Sequence, residues 1–409
     1  MKKSFIVLFI IALALAAGIL FFPPLSIMPS GQQEITPPAI ETEKPVSLSI
    51  SAVGDVMVHT PQYKAAYNQA TDTYAFDENF IYVKPYIEAA DLALCNLETV
   101  FAGGVPKGYP AFNSPDSLAD SLKSAGFDGA FISNNHILDR GTAGMLRTID
   151  VLQSSGIKST GAHKEGEKPY LIMNIKGINI GIISYTYETP SINGKKTLNS
   201  NVISEKALPL LNTFNYDSLD LDLAKINANI DSARQDGAEL IICYFHWGQE
   251  YQMSPNEFQV KIADSVAKMG ADIIFASHPH VLQPADIIIN EETGKKTAVF
   301  YSMGNFISNQ RMETLDNRYT EEGIIANVQM DFMKSTGEIT NYKASAIPLW
   351  VNKYKSGTTE YAVIPLDKGI AANSSIIESE HLKRAETALS DIINIVGSAF
   401  VEVKVEVVE

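Results

Sequence analysis

The stretch Ile273-Ile274-Phe275-Ala276-Ser277-His278-Pro279-His280 joins an apolar run to two histidines that lie one residue apart. A short, continuous apolar run is typical of a strand that is covered on both faces of a sheet. Two imidazoles so close together can hold one metal ion or two adjacent ions. The stretch therefore predicts a buried strand that ends at a metal site.

Apolar runs of the same kind recur along the chain, at residues 48–53, 92–97, 129–132, 178–185, 240–245 and 297–301. Helical patterns fall between them, at residues 114–125, 144–155, 219–235 and 254–269. A capping box of Ser254 and Glu257 is expected to begin the last of these helices. The C-terminal part predicts an amphipathic helix at 376–396 and an alternating edge strand at 400–408. Strand–helix alternation predicts an α/β fold.

Metal-capable side chains stand at the ends of several runs: Asp55, Glu98, Asn135, His136, His246, His278 and His280. In open α/β sheets, ligands bind at the carboxyl ends of strands, so these side chains are expected to converge. The mixed oxygen and nitrogen set suits zinc, manganese or iron better than calcium, and it predicts one or two divalent ions. Two ions about 3.5–4 Å apart can clamp a phosphoryl group and activate a water. His136 fits either a ligand or a general acid.

The remaining histidines and both cysteines are given structural interpretations. His59 is close enough in sequence to Asp55 to lean over the site, but it is interpreted as lying outside it. His163 and His381 are interpreted as surface residues. Cys95 and Cys243 are interpreted as two buried small hydrophobes, and a disulfide remains open if their strands are neighbours. Two cysteines are too few for a disulfide-rich scaffold or a cysteine-based zinc site.

The N-terminal region predicts a membrane attachment. Lys2 and Lys3 precede an uncharged apolar stretch at 5–22, whose length is close to the roughly 20 residues of a spanning helix. An uncleaved anchor at 1–22 is favoured over a cleaved signal peptide. Residues 23–45 are rich in proline and polar residues and predict an extended linker. One extracytoplasmic domain is expected at 46–409, on a protein that crosses the cell membrane once.

The charge of the chain narrows the classes of partner. A formal net charge of −15 argues against a nucleic-acid-binding protein, which needs a basic surface. It also disfavours binding to an anionic lipid surface. Three arginines, Arg140, Arg311 and Arg318, are the candidates for binding an anionic substrate.

Six motifs along the chain resemble one family. They are AVGDVM (52–57), NLET (96–99), SNNHILD (133–139), HWGQE (246–250), HPHVLQ (278–283) and YSMGNF (301–306). In this order they resemble the poly-γ-glutamate capsule biosynthesis family (CapA-type), which is similar in fold to calcineurin-like metallophosphoesterases. The resemblance implies a metallophosphoesterase-like sandwich of mixed β-sheets flanked by helices.

The resemblance also implies roles for the predicted site residues. Asp55 would bind the first ion, Glu98 would bridge two ions and Asn135 would bind the second. His136 would be the acid, and His246, His278 and His280 would complete the ligand set. The chain departs from the calcineurin-like pattern at Met57, where those enzymes have a histidine, and at Glu98, where they have aspartate. A mononuclear site is therefore an alternative. His59 also stands where the capsule family often has arginine.

Together these features predict a membrane-anchored metalloprotein that acts in making, exporting or attaching an anionic polymer of the poly-γ-glutamate type. A metal-dependent hydrolase of phosphoesters or related acyl bonds is expected, with other capsule-synthesis membrane proteins as further partners. Two alternatives remain open. One is a non-catalytic accessory protein of a capsule-polymer complex. The other is a secreted nucleotidase-like phosphatase, for which Tyr251, Trp350 and Tyr354 could form an aromatic clamp.

Overall fold

Two large β-sheets pack face to face within residues 43–403, the part of the chain that the computed structural model describes. The predicted anchor at 1–22 and nearly all of the predicted linker at 23–45 lie outside these residues and stay predictions. None of the helices between residues 43 and 403 combines the length and the apolar character that crossing a bilayer requires.

Strands of very different lengths occur within the described range. In chain order they are β1 (Val46–Val56), β2 (Tyr67–Asn68), β3 (Thr73–Tyr74), β4 (Leu92–Leu97), β5 (Gly129–Phe131), β6 (Lys158–Thr160), β7 (Leu171–Ile175), β8 (Ile178–Tyr187), β9 (Thr189–Ile192), β10 (Lys195–Leu198), β11 (Asn201–Val202), β12 (Thr213–Phe214), β13 (Leu240–His246), β14 (Ile273–Ser277), β15 (Ala285–Ile289), β16 (Lys296–Phe300), β17 (Asn305–Ile307), β18 (Glu322–Met333), β19 (Glu338–Ser356) and β20 (Thr358–Pro365).

The helices are mostly short, apart from four that lie against the sheets. In chain order they are α1 (Thr60–Ala65), α2 (Asp77–Phe80), α3 (Lys84–Ile87), α4 (Ser117–Ser124), α5 (Gly141–Ser154), α6 (Leu219–Gln235), α7 (Glu257–Lys268), α8 (Met312–Leu315), α9 (Gly369–Asn373) and α10 (Leu382–Val396). Short 3-10 turns lie at Leu208–Leu210, Tyr216–Ser218 and Arg318–Glu321.

Both large sheets are mixed, and each has a parallel centre. The first has the order β20-β19-β18-β1-β4-β5-β6, with β17 paired to β1. The second has the order β12-β8-β13-β14-β16-β15, with β7 paired to β8. Strands β1, β4, β5 and β6 run parallel to one another, as do β8, β13, β14 and β16. The carboxyl ends of these strands carry the predicted ligands.

Apolar side chains fill the space between the sheets and beneath the helices. Ile50 of the first sheet and Ile242 and Phe275 of the second belong to one fully buried cluster. Burying an aliphatic or aromatic side chain of this size stabilises a fold by about 1.5–3 kcal/mol. Helices α4 and α5 cover the outer face of the first sheet, and α6 and α7 cover that of the second. The predicted α/β fold of sheets and helices is confirmed.

The predicted strands agree closely with the observed ones, whereas some helix starts do not. All seven apolar runs are strands. Helix α7 is capped by Asn256, whose side chain accepts a hydrogen bond from the Gln259 backbone N–H at 2.9 Å, so the predicted Ser254–Glu257 capping box is wrong. Helix α10 begins at Leu382 rather than near residue 376. Val401 forms a single bridge to Ala346, and most of the predicted edge strand at 400–408 lies beyond residue 403.

The two cysteines lie in different sheets. Cys95 is in β4 of the first sheet and Cys243 is in β13 of the second, and both are free and buried. The strands are not neighbours, so the disulfide alternative does not hold. The interpretation of both residues as buried small hydrophobes is confirmed.

Candidate metal centre

Strand ends from both sheets meet at one edge of the sandwich. Asp55 is the second-last residue of β1, and Glu98 directly follows the last residue of β4. All seven predicted site side chains are at least 95% buried: Asp55, Glu98, Asn135, His136, His246, His278 and His280. The first sheet supplies Asp55, Glu98 and Asn135, and the second supplies His246, His278 and His280. The predicted convergence of these side chains is therefore observed.

The end of β1 is shaped by a close backbone contact. The pairing of β1 with β4 shifts between Val53 and Asp55, which re-aims the side chains that follow. A Cβ atom on Gly54 would lie 1.9 Å from the carbonyl oxygen of Gly304, so only glycine fits. The Asp55 backbone N–H donates to that same oxygen at 2.9 Å. The carboxylate of Asp55 is thereby turned toward the second sheet.

The His-Pro-His turn adopts a strained backbone. His278 has φ +107° and His280 has φ +56°, a region that residues other than glycine rarely occupy. Such conformations cost about 1–3 kcal/mol each and cluster at functional sites. The Tyr251 backbone N–H donates to the Pro279 carbonyl at 2.7 Å and holds the turn. Both imidazoles consequently face the carboxylates.

The carboxylates and imidazoles lie within direct reach of each other. The Asn96 amide donates to Asp55 Oδ1 at 2.7 Å, and His280 Nδ1 lies 3.0 Å from Asp55 Oδ2. Glu98 Oε1 lies 3.6 Å from His246 Nε2 and 3.8 Å from His280 Nε2. Oxygen and nitrogen donors therefore surround a common centre.

Three groups of ligand atoms can be drawn within this centre, each with its atoms within 4.8 Å of one another. They are Asp55–Glu98–His280, Glu98–His246–His278 and Glu250–His278–His280. Glu98 belongs to the first two groups, so its carboxylate would be shared if two adjacent ions were bound. The arrangement thus fits two ions as well as one.

Other side chains orient these ligands. Tyr244 Oη lies 3.2 Å from His246 Nδ1, and Nε2 of the same ring lies 3.0 Å from Oδ1 of the predicted ligand Asn135. Asn305 Oδ1 lies 3.2 Å from His280 Nδ1. Partners of this kind fix the ring orientation of metal-binding histidines.

Two buried atoms of the centre show that its donor set fits a cation. Among residues 43–403, Glu98 Oε1 and His278 Nδ1 are buried without a hydrogen-bond partner. A buried polar atom without a partner is costly, by about 1–3 kcal/mol. A divalent ion accepts both a carboxylate oxygen and an imidazole nitrogen, so it would satisfy both atoms.

Burial shifts the pKa values of several side chains within the centre. Burial, followed by the charge of Asp55, raises the pKa of Glu98 well above its ordinary value. Burial lowers the pKa values of His246 and His278 well below the ordinary value, which keeps both rings neutral. Burial also opposes protonation of His280, but the hydrogen bond and charge of Asp55 raise its pKa overall. Neutral imidazoles are the form that binds metals.

His136 lies beside Asn135 and is held by a carboxylate. Its Nδ1 lies 2.8 Å from Asp139 Oδ2, and the same oxygen accepts the Phe112 backbone N–H at 2.7 Å. The Phe112 ring packs edge-on against the imidazole, with ring centroids 4.8 Å apart. Because Nδ1 of His136 is bonded to Asp139, Nε2 is the ring nitrogen that is left for proton transfer.

The three arginines predicted to bind substrate have partners within the protein. The Arg311 side chain is buried and donates to Val351 O at 2.8 Å and to Glu321 at 3.2 Å. Arg318 donates to Asp391 at 2.7 Å, and Arg140 donates to Ala111 O at 2.7 Å. No hydrogen bond or ion pair found within residues 43–403 joins any of them to a predicted ligand, so their substrate-binding role stays a prediction.

Several residues at the centre were not predicted from the sequence. Glu250 joins His278 and His280 in the third ligand group. His59 is close enough to interact with His280 and His136, and burial lowers its pKa to about 4. Asn96 and Asn305 hold Asp55 and His280. The only sequence signal for Glu250 is its place in the HWGQE motif.

Two tyrosine rings lie beside histidines of the centre, and one of them, Tyr251, belongs to the predicted aromatic clamp. The Tyr187 ring packs 4.7 Å from that of His278, and the Tyr251 ring lies 6.3 Å from that of His280. Trp350 instead packs in a separate cluster and donates its indole N–H to Glu321 at 3.2 Å. Of the three residues considered for a clamp, Tyr251 is the one in contact with a ligand ring.

Comparison with solved structures finds distant neighbours. A novel phosphatase from Mycoplasma pneumoniae has a TM-score of 0.41 and 15% identity, with 74% of this chain and 94% of that chain covered. A 5'-nucleotidase from Candida albicans has a TM-score of 0.38 and 10% identity, with 86% of this chain and 58% of that chain covered.

Comparison with curated sequences and families gives closer matches. The capsule biosynthesis protein CapA of Bacillus anthracis is 27% identical over 278 residues, which cover 66% of this chain and 61% of that protein. The PGA biosynthesis protein CapA of Bacillus subtilis (strain 168) is 28% identical over 305 residues, or 72% of each chain. A family model described as bacterial capsule synthesis protein PGA_cap matches residues 49–310. Because this match spans more than half of the sequence and includes all six motifs, the chain belongs to the PGA_cap family of bacterial capsule synthesis proteins.

Proposed function

We propose that this protein is a metal-dependent hydrolase of capsule-polymer biosynthesis that acts on a phosphoester or a related acyl bond. The observation that carries the proposal is Glu98, a buried carboxylate shared by two groups of ligands, with one oxygen that has no hydrogen-bond partner within residues 43–403. Membership of the PGA_cap family supports the place in capsule synthesis.

The chain's own residues divide the work between binding and proton transfer. Asp55, Glu98 and His280 would hold one divalent ion, and Asn135, His246 and His278 would hold a second together with Glu98. Bound ions of manganese, zinc or iron would supply an activated water and offset the charge of a phosphoryl group. His136 would donate a proton to the leaving group, while Asp139 keeps its ring oriented.

We propose an extracytoplasmic location and an anionic polymer as the molecule on which the protein acts. An anionic substrate approaches a chain of net charge −15 against repulsion. Arg311 and Arg318 are already paired with Glu321 and Asp391. The attraction for an anionic group at the centre would therefore have to come from bound ions. Other membrane proteins of capsule synthesis are the proposed partners.

Metal analysis of the purified full-length protein tests this function. Wild type is expected to retain one or two equivalents of manganese, zinc or iron and to hydrolyse generic phosphodiester or phosphomonoester substrates. Asp55→Ala and His278→Ala are expected to lose both metal and hydrolysis. His381→Ala removes a histidine that bonds to Asn352 instead and serves as the control. A wild-type protein without metal contradicts the proposal.

One observation favours a second candidate, a non-catalytic accessory protein of the capsule-polymer machinery. The Met57 side chain is buried and accepts a hydrogen bond from the Ser308 hydroxyl at 4.0 Å, so no histidine from this position joins the centre. A metal that is retained with no turnover on any phosphoester, including 5'-nucleotides, would favour this candidate. Turnover that depends on His136 would exclude it.

A further inference from the structure

Glu250 is an exposed residue whose carboxylate lies beside two buried histidines. One of its oxygens and one nitrogen each of His278 and His280 lie within 4.8 Å of one another. Both histidine side chains are only 2% exposed, and His278 Nδ1 has no hydrogen-bond partner among the described residues. The carboxylate therefore reaches the buried histidines from the solvent side.

The backbone holds Glu250 in this position. Gly248 has φ +90°, and a Cβ there would come within 2.8 Å of the Gln259 side chain, so the turn requires glycine. The Gly248 N–H donates to the Tyr216 hydroxyl at 2.9 Å on one side of Glu250. On the other side, Tyr251 has φ +66° and donates its N–H to Pro279 O at 2.7 Å. The segment is thus fixed to the turn that carries both histidines.

The ligand count on the Asp55 side of the centre is low. Asp55, Glu98 and His280 offer three donor groups there, and the thioether of Met57 is bonded to Ser308 instead of facing them. Divalent zinc in proteins is usually four-coordinate, and manganese takes more ligands. Glu250 is a further carboxylate within reach of this set, because one of its oxygens lies close to His280 as well as to His278.

We propose that Glu250 is a solvent-side ligand of the metal centre and completes the ion held by Asp55, Glu98 and His280. The inference rests on the proposed function, because it requires that ions bind at this centre. Since Glu250 is exposed, its side chain can leave the ion without a rearrangement of the core. An anionic substrate group could then bind where the carboxylate had been, so Glu250 would compete with the substrate.

Titration of the full-length protein with Mn²⁺, followed by the electron paramagnetic resonance signal of the free ion, tests this assignment. Wild type is expected to bind two Mn²⁺ ions. Glu250→Gln is expected to weaken one of them by at least about 10-fold, because loss of even a group that only orients a ligand costs about 10–100-fold, and to leave the other unchanged. At saturating Mn²⁺, the same variant is expected to bind inorganic phosphate more tightly than wild type. Glu257→Gln, an exposed glutamate on α7, is the matched control.

The outcomes separate the inference from the function on which it rests. Two unchanged Mn²⁺ affinities in Glu250→Gln overturn the inference and leave the proposed hydrolase intact. An equal loss at both ions overturns the assignment to the Asp55 side. A wild-type protein that binds no Mn²⁺ overturns both proposals. Thermal unfolding of each variant without metal confirms that any loss of affinity is not a loss of folding.

Discussion

Glu98 is a side chain that the proposed function needs but that is costly to bury in the metal-free protein. Its carboxylate is fully buried, lies near the charge of Asp55 and has one oxygen without a partner among the described residues. Burying a charge is costly unless a cation or a hydrogen bond offsets it. The proposed ions would offset this cost.

Replacing Glu98 by glutamine tests whether its carboxyl group destabilises the metal-free protein. Glu98→Gln removes a carboxyl group whose ionisation is opposed by burial and by the charge of Asp55, so we expect the metal-free protein to become more stable by about 1 kcal/mol, or roughly 1–3 °C in Tm. We also expect added Mn²⁺ to stabilise the variant much less than wild type, since the shared ligand is lost. Differential scanning calorimetry with and without Mn²⁺ measures both effects. A less stable metal-free variant would show that Glu98 stabilises the fold by itself.

The contact between Asp139 and His136 gives a separate prediction about the reaction. Asp139→Asn keeps all the proposed metal ligands but weakens the orientation of the proposed proton donor. We expect kcat to fall by about 10²-fold, the lower range for general acid catalysis, with metal content and KM little changed. Steady-state kinetics and metal analysis provide the test. Asp150→Asn on α5 is the control, and metal loss in Asp139→Asn would assign that residue a structural role instead.

The sequence predicted the convergence of the seven site residues because they follow the carboxyl ends of buried strands, where ligands collect in α/β sheets. It did not predict Glu250, since that position depends on positive φ values at Gly248 and Tyr251. Nor could it show that Arg311 pairs with Glu321, because this contact requires the packing of distant elements. The roles proposed for these residues stay predictions.

Among the elements, strands were easier to predict than helix starts. Runs such as 92–97 and 240–245 are buried along their whole length, so apolar character alone reveals them. A helix start depends on which polar residue has an extended backbone. Asn256 has φ −81° and ψ 173° and caps α7, although Ser254 precedes it with an equally suitable side chain. Sequence alone gave no means to choose between them.

The packing of the two sheets gives a prediction about β13. Ile242 is fully buried between the sheets, and truncation leaves a cavity that the surrounding strands cannot fill. We expect Ile242→Ala to lower the free energy of unfolding by about 2–5 kcal/mol. Urea denaturation measures the change. Val260→Ala, at a position 38% exposed on α7, is expected to cost less than about 0.5 kcal/mol. Similar costs for both variants would contradict the role of the shared core.

An ion pair between α8 and α10 gives a prediction about pH. The hydrogen bond from Arg384 lowers the pKa of Glu313 from its ordinary value of 4.5 to about 2. Glu313 therefore stabilises the fold above about pH 4.5, and this contribution is lost as pH falls toward 2. We expect Glu313→Gln to flatten the loss of stability across this interval. Chemical denaturation at several pH values measures the slope, with Glu386→Gln as control; an unchanged slope in Glu313→Gln would contradict the prediction.

At the scale of the whole molecule, the proposed centre is built by two halves of one domain. The first sheet brings Asp55, Glu98 and Asn135, and the second brings the imidazoles together with Glu250, so neither sheet holds the complete set. The apolar cluster between the sheets fixes the distance between the two kinds of ligand. The distances between the site side chains therefore depend on the packing of the entire sandwich.

The proposed attachment of this domain to the membrane can be tested on the intact chain. We expect the protein to sediment with membranes, to dissolve only in detergent and to retain residues 1–22 by mass spectrometry. We also expect added protease to digest the domain in cells whose cell wall has been removed. Deletion of residues 2–22 should leave the protein in the cytoplasmic fraction. A mature mass that lacks the first residues would favour a cleaved signal peptide.

The division of the ligands between the two sheets has a consequence for assembly. If the chain is exported before it folds, no ion can be captured until both sheets have docked outside the cytoplasm. The identity of the metal would then be decided by the supply available there rather than by the cytoplasmic pool. Once captured, the ions would cross-link the halves of the sandwich, so that unfolding would have to wait for their release. Loss of metal would then set the lifetime of the folded protein at the cell surface.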